Sequence, residues 1–195
     1  MLVEDKIQLR KTFIVRRKGL SKDDVSARSR PVQARLFDFI SETSPDQIFF
    51  YCSHQNEPDL DSLISSLSSK ITVGLPRISS FESRTMSFHR WSPEDPLKTN
   101  RYGLREPSKE ATVLVPSAET LLCIPAVAID RRGMRIGYGG GFYDRFLVGH
   151  PNLSRIGVVF DDFFVEKVPT EALDLPVNYI CTEKTLLRSE APRSV

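Results

Sequence analysis

Residues 135–146 read RIGYGGGFYDRF, with glycines at positions 137, 139, 140 and 141. Glycine loses more backbone entropy on folding than any other residue, so this density costs stability. In return the chain can bring bare N–H groups against a ligand. The spacing of Phe142, Phe146 and Leu147 that follows suits the first turns of a helix facing a core. A glycine loop opening onto a helix N-terminus favours an anion, because unpaired N–H groups and the helix dipole both attract it. The loop is no Walker A motif, since Lys-Ser/Thr is absent, and its order is not that of the dinucleotide fingerprint. A tight structural connection and a phosphate cradle therefore both fit. Arg135 and Arg145 flank the loop and offer planar forks to phosphate oxygens. Asp144 beside phosphates would be repulsive without an intervening cation, which makes it a candidate magnesium ligand. The alternative is an acid complementing the helix dipole.

Outward from the loop, strands and helices alternate. Gln47–Cys52 and 71–75 read as short strands buried on both faces, the second closed by Pro76. The run 121–129 ends at Asp130 and a turn through Gly133, and 155–160 and 178–181 read as two further strands. Between them Leu60, Leu63, Ile64 and Leu67 mark a helix. Upstream, 4–18 suits a partly amphipathic helix. Ser21 reads as the N-cap of a second one, with Asp23 and Asp24 in its first turn and a bend at Pro31. Residues 77–110 are polar and irregular, a β-excursion or a lid. The pattern predicts one α/β domain over 1–195 with a mostly parallel sheet and ligands at the carboxyl ends of its strands.

Composition narrows the function classes. A net charge of +2 argues for neither nucleic acid nor a membrane surface as partner. The basic groups Arg10-Lys11 and Arg16-Arg17-Lys18 read as a solvated helix face. No apolar run reaches the ~20 residues of a membrane span, and MLVEDKIQLRK lacks the apolar stretch of a secretory signal. Cys52, Cys123 and Cys181 sit in apolar runs, as reduced thiols of a cytoplasmic protein do. His54, His89 and His150 are scattered and no Cys/His set has zinc spacing. The tail from Arg188 to Val195 is expected to fray.

The chain resembles the 5-formyltetrahydrofolate cyclo-ligases, also called methenyltetrahydrofolate synthetases, over nearly its whole length. Carrying the resemblance are Pro125–Asp130, Gly133 and RIGYGGGFYDRFL, with weaker matches at Lys6–Arg10, Asn56-Glu57, Leu75–Arg77, Met86–Phe88, Glu106-Pro107 and 168–174. It implies a three-layer α/β/α sandwich related to ribose-5-phosphate isomerase and CoA-transferase folds. It also implies ATP- and magnesium-dependent conversion of 5-formyltetrahydrofolate to 5,10-methenyltetrahydrofolate, through a phosphorylated formyl group, by a monomer. Residue by residue, it assigns ATP contacts to Lys6, Arg10 and the run Arg135, Ile136, Gly137, Tyr138, Gly139, Gly140, Gly141, Phe142 and Tyr143. Folate contacts fall to Cys52, Glu57 and Tyr138 through Phe142. Asp144 and Asp174 become magnesium ligands, and Arg135, Tyr143, Asp144 and Arg145 the catalytic set.

Three departures accompany the resemblance. Thr120 stands where the family usually has an acid, Leu60 where a threonine is frequent, and Tyr138 where some relatives have arginine. Thr120 leaves open a relative that binds folate or nucleotide without turnover.

Overall fold

The computed structural model describes residues 2–171 and 173–190; for residues 2–4 only the backbone is described. The chain runs α1 (Leu2–Lys18), α2 (Lys22–Thr43), β1 (Gln47–Phe49), α3 (Asp61–Leu67) and β2 (Thr72–Ser80). Then come β3 (Thr85–Arg90), β4 (Lys98–Thr99), β5 (Arg105–Glu106), β6 (Val113–Leu114), β7 (Leu121–Pro125), β8 (Ala128–Asp130) and β9 (Arg135–Ile136). It closes with α4 (Phe142–Gly149), β10 (Ser154–Val158), a 3₁₀ turn at Asp161–Phe163, β11 (Phe164–Val165), β12 (Tyr179–Cys181) and β13 (Leu186–Arg188).

Eight strands form the main sheet in the order β13-β12-β10-β7-β1-β2-β3-β6. Its five central strands, β12, β10, β7, β1 and β2, are mutually parallel. β13, β3 and β6 join antiparallel. Successive side chains in a strand point to opposite faces. Ile48, Phe50, Leu121, Cys123, Ile156, Val158 and Cys181 accordingly pack with α2 and α3. The interleaved Phe49, Leu122, Ile124 and Ile180 pack with Leu147 and Phe146 of α4 on the other face. Both faces are buried, which is why these strands read as unbroken apolar runs.

Several sequence readings gain detail. Ser21 caps α2 through a capping box with Asp24, and Pro31 lies inside a helix that continues to Thr43. Pro76 does not close the second strand: β2 runs on to Ser80, paired with β3 through Pro76↔Phe88. Its pairing to β1 ends at Gly74, so beyond that point β2 has one free edge and proline forfeits no ladder bond there. The run 121–129 divides into β7 of the main sheet and β8 of a separate three-stranded sheet, β11-β8-β9. The irregular 77–110 segment is a β-excursion: the β2–β3 hairpin followed by the small β4–β5 pair. Part of the expected frayed tail is ordered. Arg188 pairs with Tyr179, and the Ser189 and Glu190 N–H groups donate to Asn178 and Arg131 carbonyls; 191–195 lie outside the described residues.

Gly157 of β10 marks where β8 crosses the sheet closely. A Cβ there would fall 2.4 Å from Ile129 Cδ1 and 3.2 Å from Val177 Cγ2. Gly157→Val should therefore overpack the core by about 2 kcal/mol, lowering Tm by roughly 4–8 °C. Gly149→Ala, with nothing within 4 Å of its added methyl, should shift Tm far less in the same calorimetric scan.

Candidate active site

Lys6, Arg10, Phe13 and Arg17 recur in steps of four, three and four residues, which places them on one face of α1. That face is turned inward. Lys6 is buried, donating to Asp174 Oδ2 and pairing with Glu171 at 3.3 Å. Arg10 Nε donates to the Gly137 carbonyl at 2.8 Å. Arg17 is 2% exposed, which overturns the solvated-face reading for this residue. A buried guanidinium needs acceptors for its donors. Arg17 finds the Gln55 carbonyl at 3.1 Å, the Ala126 carbonyl at 2.9 Å and the Tyr138 hydroxyl, with Glu57 Oε1 at 3.5 Å.

The glycine loop lies against this stripe. Gly139 (φ 95°) and Gly141 (φ 67°) occupy the left-handed region, which L side chains rarely adopt. A Cβ on Gly139 would lie 3.5 Å from the Arg10 guanidinium carbon. Gly141 is the N-cap of α4 and supplies no side-chain cap, so the helix opens with uncapped N–H groups. Gly140 has a nearer neighbour than any ligand: its Cβ would strike the Phe142 ring at 2.7 Å. Phe142 itself does not join the core, as its spacing suggested; it packs edge-on against Phe81 of the β2–β3 hairpin, 5.5 Å between centroids. Of the expected core positions in α4, Leu147 is buried and Phe146 half-buried.

Asp144, in the first turn of α4, accepts from Arg135 at 2.6 Å through Oδ1. Arg135 is itself buried and also donates to the Leu175 carbonyl, beside Asp174. The two candidate magnesium ligands are thus each paired to a cation, Asp144 to Arg135 and Asp174 to Lys6. Among the described residues no three His, Cys, Asp or Glu side chains cluster to hold a metal. Mg²⁺ takes one or two protein carboxylates and completes its octahedron with phosphate and water oxygens. Asp144, with one oxygen engaged by Arg135 and the side chain partly exposed, fits that donor set. Tyr143 is half-buried, and removal from water followed by the nearby Glu57 charge holds its hydroxyl well above the usual tyrosine range. Arg145 is exposed and enters no ion pair or side-chain hydrogen bond among the described residues. Ile136 is fully buried in β9 and anchors the loop rather than lining it.

Glu57 lies beyond the carboxyl end of β1, where α/β sheets bind ligands. The turn leading to it is strained, with Gln55 (φ 47°) and Asn56 (φ 59°) both left-handed. Asn56 holds the turn by donating to the Arg17, Lys18 and Leu20 carbonyls, which also closes the end of α1. Glu57 is 2% exposed; Oε2 accepts the His54 N–H at 3.0 Å. Oε1 receives no hydrogen bond of good geometry. The Tyr138 hydroxyl stands close by but directs its proton to the His54 carbonyl at 3.3 Å. Burial raises the Glu57 carboxyl to about 7 against the opposing pull of Arg17, the His54 N–H and Tyr138.

Cys52 is half-buried and its thiol, raised to about 12 by burial, stays neutral. It lines a cavity of about 170 Å³ with Ile64, Leu75, Trp91 and the Asp61–Arg105 ion pair. That cavity shares only Cys52 with the expected site residues. Sequence reasoning missed Arg17 as a site residue. The signal was present, since Arg17 continues the Lys6–Arg10 register by seven residues.

Two of the three departures fall outside this arrangement. Thr120 is buried at the amino end of β7, where its hydroxyl accepts the Ser117 N–H. Five residues of strand, roughly 16 Å, separate it from the Ala126 carbonyl that holds Arg17. Leu60 is the N-cap of α3 and is buried in the core; the cap a threonine would make is exchanged for apolar packing. Tyr138 alone enters the site, its ring 5.3 Å from the Arg17 guanidinium carbon.

Known proteins share this fold and much of this sequence. A curated 5-formyltetrahydrofolate cyclo-ligase of Haemophilus influenzae is 35% identical over 150 residues, covering 75% of this chain and 80% of its own. That of Escherichia coli K12 is 29% identical over 171 residues, covering 86% and 94%. The Aquifex aeolicus 5,10-methenyltetrahydrofolate synthetase structure superposes with a TM-score of 0.83 at 29% identity, over 97% of this chain and 95% of that one. The Mycoplasma pneumoniae synthetase, at 21% identity and a TM-score of 0.74 over 92% and 99%, shares the fold. The model of the 5-formyltetrahydrofolate cyclo-ligase family matches residues 3–183, and the chain belongs to that family, ligases of folate one-carbon metabolism.

Proposed function

We propose that this protein converts 5-formyltetrahydrofolate to 5,10-methenyltetrahydrofolate at the expense of ATP. The observation that carries the reading is the juxtaposition of two receptors. An anion-seeking glycine loop is flanked by Lys6, Arg10 and Arg135, and it carries Tyr138 to the buried, underbonded carboxylate of Glu57. A pterin presents an amino group and a ring N–H side by side, the donors that an ionised carboxylate accepts.

In this reading the formyl oxygen attacks the γ-phosphorus and ADP leaves, giving a phosphorylated, imidate-like carbon. The nitrogen at position ten then attacks that carbon, its proton is released, and the carbon–oxygen bond breaks to expel phosphate. The N–H groups of 137–143, with Lys6 and Arg10, hold the triphosphate, and Arg135 orients Asp144 through their hydrogen bond. Mg²⁺, held by Asp144 and supported by Asp174, would neutralise charge on the transferring oxygens. Tyr143, packed against the core, stays protonated.

Mixing protein, ATP, magnesium and 5-formyltetrahydrofolate should produce the near-ultraviolet absorbance of the methenyl product; binding without that absorbance would refute turnover. Asp144→Asn should lower kcat at fixed magnesium by roughly 10- to 100-fold, with partial recovery when magnesium is titrated upward. Gly139→Val should raise KM for ATP, because it strains a positive φ beside Arg10; an unchanged value would remove the loop from the phosphate site.

Glu57 gives a paired prediction. Its folded value of about 7 lies above the ordinary 4.5, so the folded state holds its proton more tightly. Its contribution to stability is therefore lost as pH rises from about 4.5 through about 7. Glu57→Gln should make the protein more stable than the parent at pH 8. The same change should weaken folate binding by about 2 kcal/mol, roughly 30-fold in Kd. Thermal melting and calorimetric titration at pH 8 measure the two halves.

A further inference from the structure

Arg17 has no assigned role in the reaction, yet it joins four parts of the site. It rises from α1, and its donors reach the Gln55 carbonyl in the strained turn, the Ala126 carbonyl between β7 and β8, and the Tyr138 hydroxyl in the glycine loop. Its remaining neighbour is Glu57 Oε1 at 3.5 Å, the oxygen without a hydrogen bond of good geometry. At 2% exposure for Arg17 and 2% for Glu57, water does not screen that charge pair. A guanidinium so tethered cannot swing away, because its planar fork is fixed by carbonyls that belong to other segments.

We infer that Arg17 is a positioning residue: it holds Glu57 as an oriented carboxylate facing the pterin, and through Tyr138 it sets the glycine loop at a fixed distance from that carboxylate. The inference rests on the proposed folate site and adds to it the device that keeps the pterin acceptor charged and in register with the phosphate loop. Tyr138 completes the coupling. Its ring lies over the guanidinium at 5.3 Å while its hydroxyl accepts from it, an arrangement that an arginine at this position would replace with like-charge repulsion.

The electrostatic surroundings of Glu57 support the role. From the strand side it is faced by Tyr51 and Cys52, from α4 by Tyr143, from the loop by Tyr138 and from its own turn by His54. Tyr51, Cys52, Tyr138 and Tyr143 are all held neutral by burial. His54 is pushed below the ordinary histidine value by burial and by Arg17 and Lys18. Among the described residues, Arg17 is the cation within ion-pair distance of Glu57. Removing it takes away the largest influence that opposes burial at Glu57.

The test measures the Kd of 5-formyltetrahydrofolate by calorimetry across pH 6 to 9, without nucleotide, for the parent, Arg17→Met and Arg17→Lys. Methionine keeps the stem volume and discards the charge; lysine keeps the charge and discards the fork. Arg17→Met should bind at least tenfold more weakly at pH 7 and regain most of that loss by pH 9, as Glu57 ionises at higher pH. Arg17→Lys should recover much of the affinity at pH 7 while binding of ATP weakens, because Tyr138 loses its anchor. A Met variant that folds, by circular dichroism, and shows the parent's Kd and pH profile would overturn the inference. So would a loss independent of pH in both variants, which marks a purely structural arginine. If Arg17→Met does not fold, the Lys variant decides through its pH profile. A parent that fails to bind the folate at any pH refutes the proposed function instead, so the two failures are distinguishable.

Discussion

The structure turns on positive charge buried along one face of α1. Lys6, Arg10 and Arg17 span about 16 Å of helix; Lys6 and Arg17 are buried and Arg10 half-buried, so acceptors must meet them. The acceptors come from distant parts of the chain: Asp174 and Glu171, the Gly137 carbonyl, and the Gln55 and Ala126 carbonyls with Glu57. This requirement brings the loop after β1, the β7–β8 crossover, the glycine loop and the segment before β12 into one place. Packing of the sheet positions its strand ends; the charges on α1 gather the loops between them.

Legibility in the sequence follows the physics of each part. The parallel core was readable because strands covered on both faces are continuous apolar runs, as in 47–52 and 155–160. The α2 start was readable because a capping box is local chemistry around Ser21 and Asp24. The antiparallel margins were less so. β3 and β6 are half-covered and the buried β8–β9 pair is only three and two residues long, so their pairing is set by tertiary neighbours rather than by pattern. α1 misled for a definite reason: its inward face mixes Lys6, Arg10 and Arg17 with Phe13, while Ile7 and Val15 are exposed, so hydrophobic periodicity alone does not mark the buried side.

The candidate site divides in the same way. The glycine loop stood out, since four glycines in five positions are uncommon, but its local sequence fitted a tight connection as well as a phosphate cradle. Glu57 and Cys52 were reached through resemblance alone, because a single acid after a strand has no local signature. Arg17 was not reached at all. A buried arginine owes its place to acceptors 38 to 121 residues away in sequence; the helical register shared with Lys6 and Arg10 is what separates it from Arg16, which is exposed.

Stability and function pull against each other at this centre. Glu57 is buried with one oxygen underbonded, Gln55 and Asn56 occupy strained backbone, and the loop glycines give up entropy. Each of these costs is met by contacts of α1: the Arg17 fork holds the turn and the loop, and Asn56 in return closes the end of the helix. The Lys6, Arg10 and Arg135 donors are meanwhile committed to internal carbonyls and carboxylates. In the proposed function a triphosphate at the loop would compete for those same donors, so its binding would exchange internal ion pairs for ligand contacts rather than add new ones. The net gain is the difference between the two sets, and it is largest where the internal partner is a neutral carbonyl, as for Arg10, and smallest where it is a carboxylate, as for Lys6 and Arg135. Arg10 is on this ground the residue of the stripe whose electrostatic attraction would be most available to an anion at the loop, while the Lys6 ion pairs keep α1 docked.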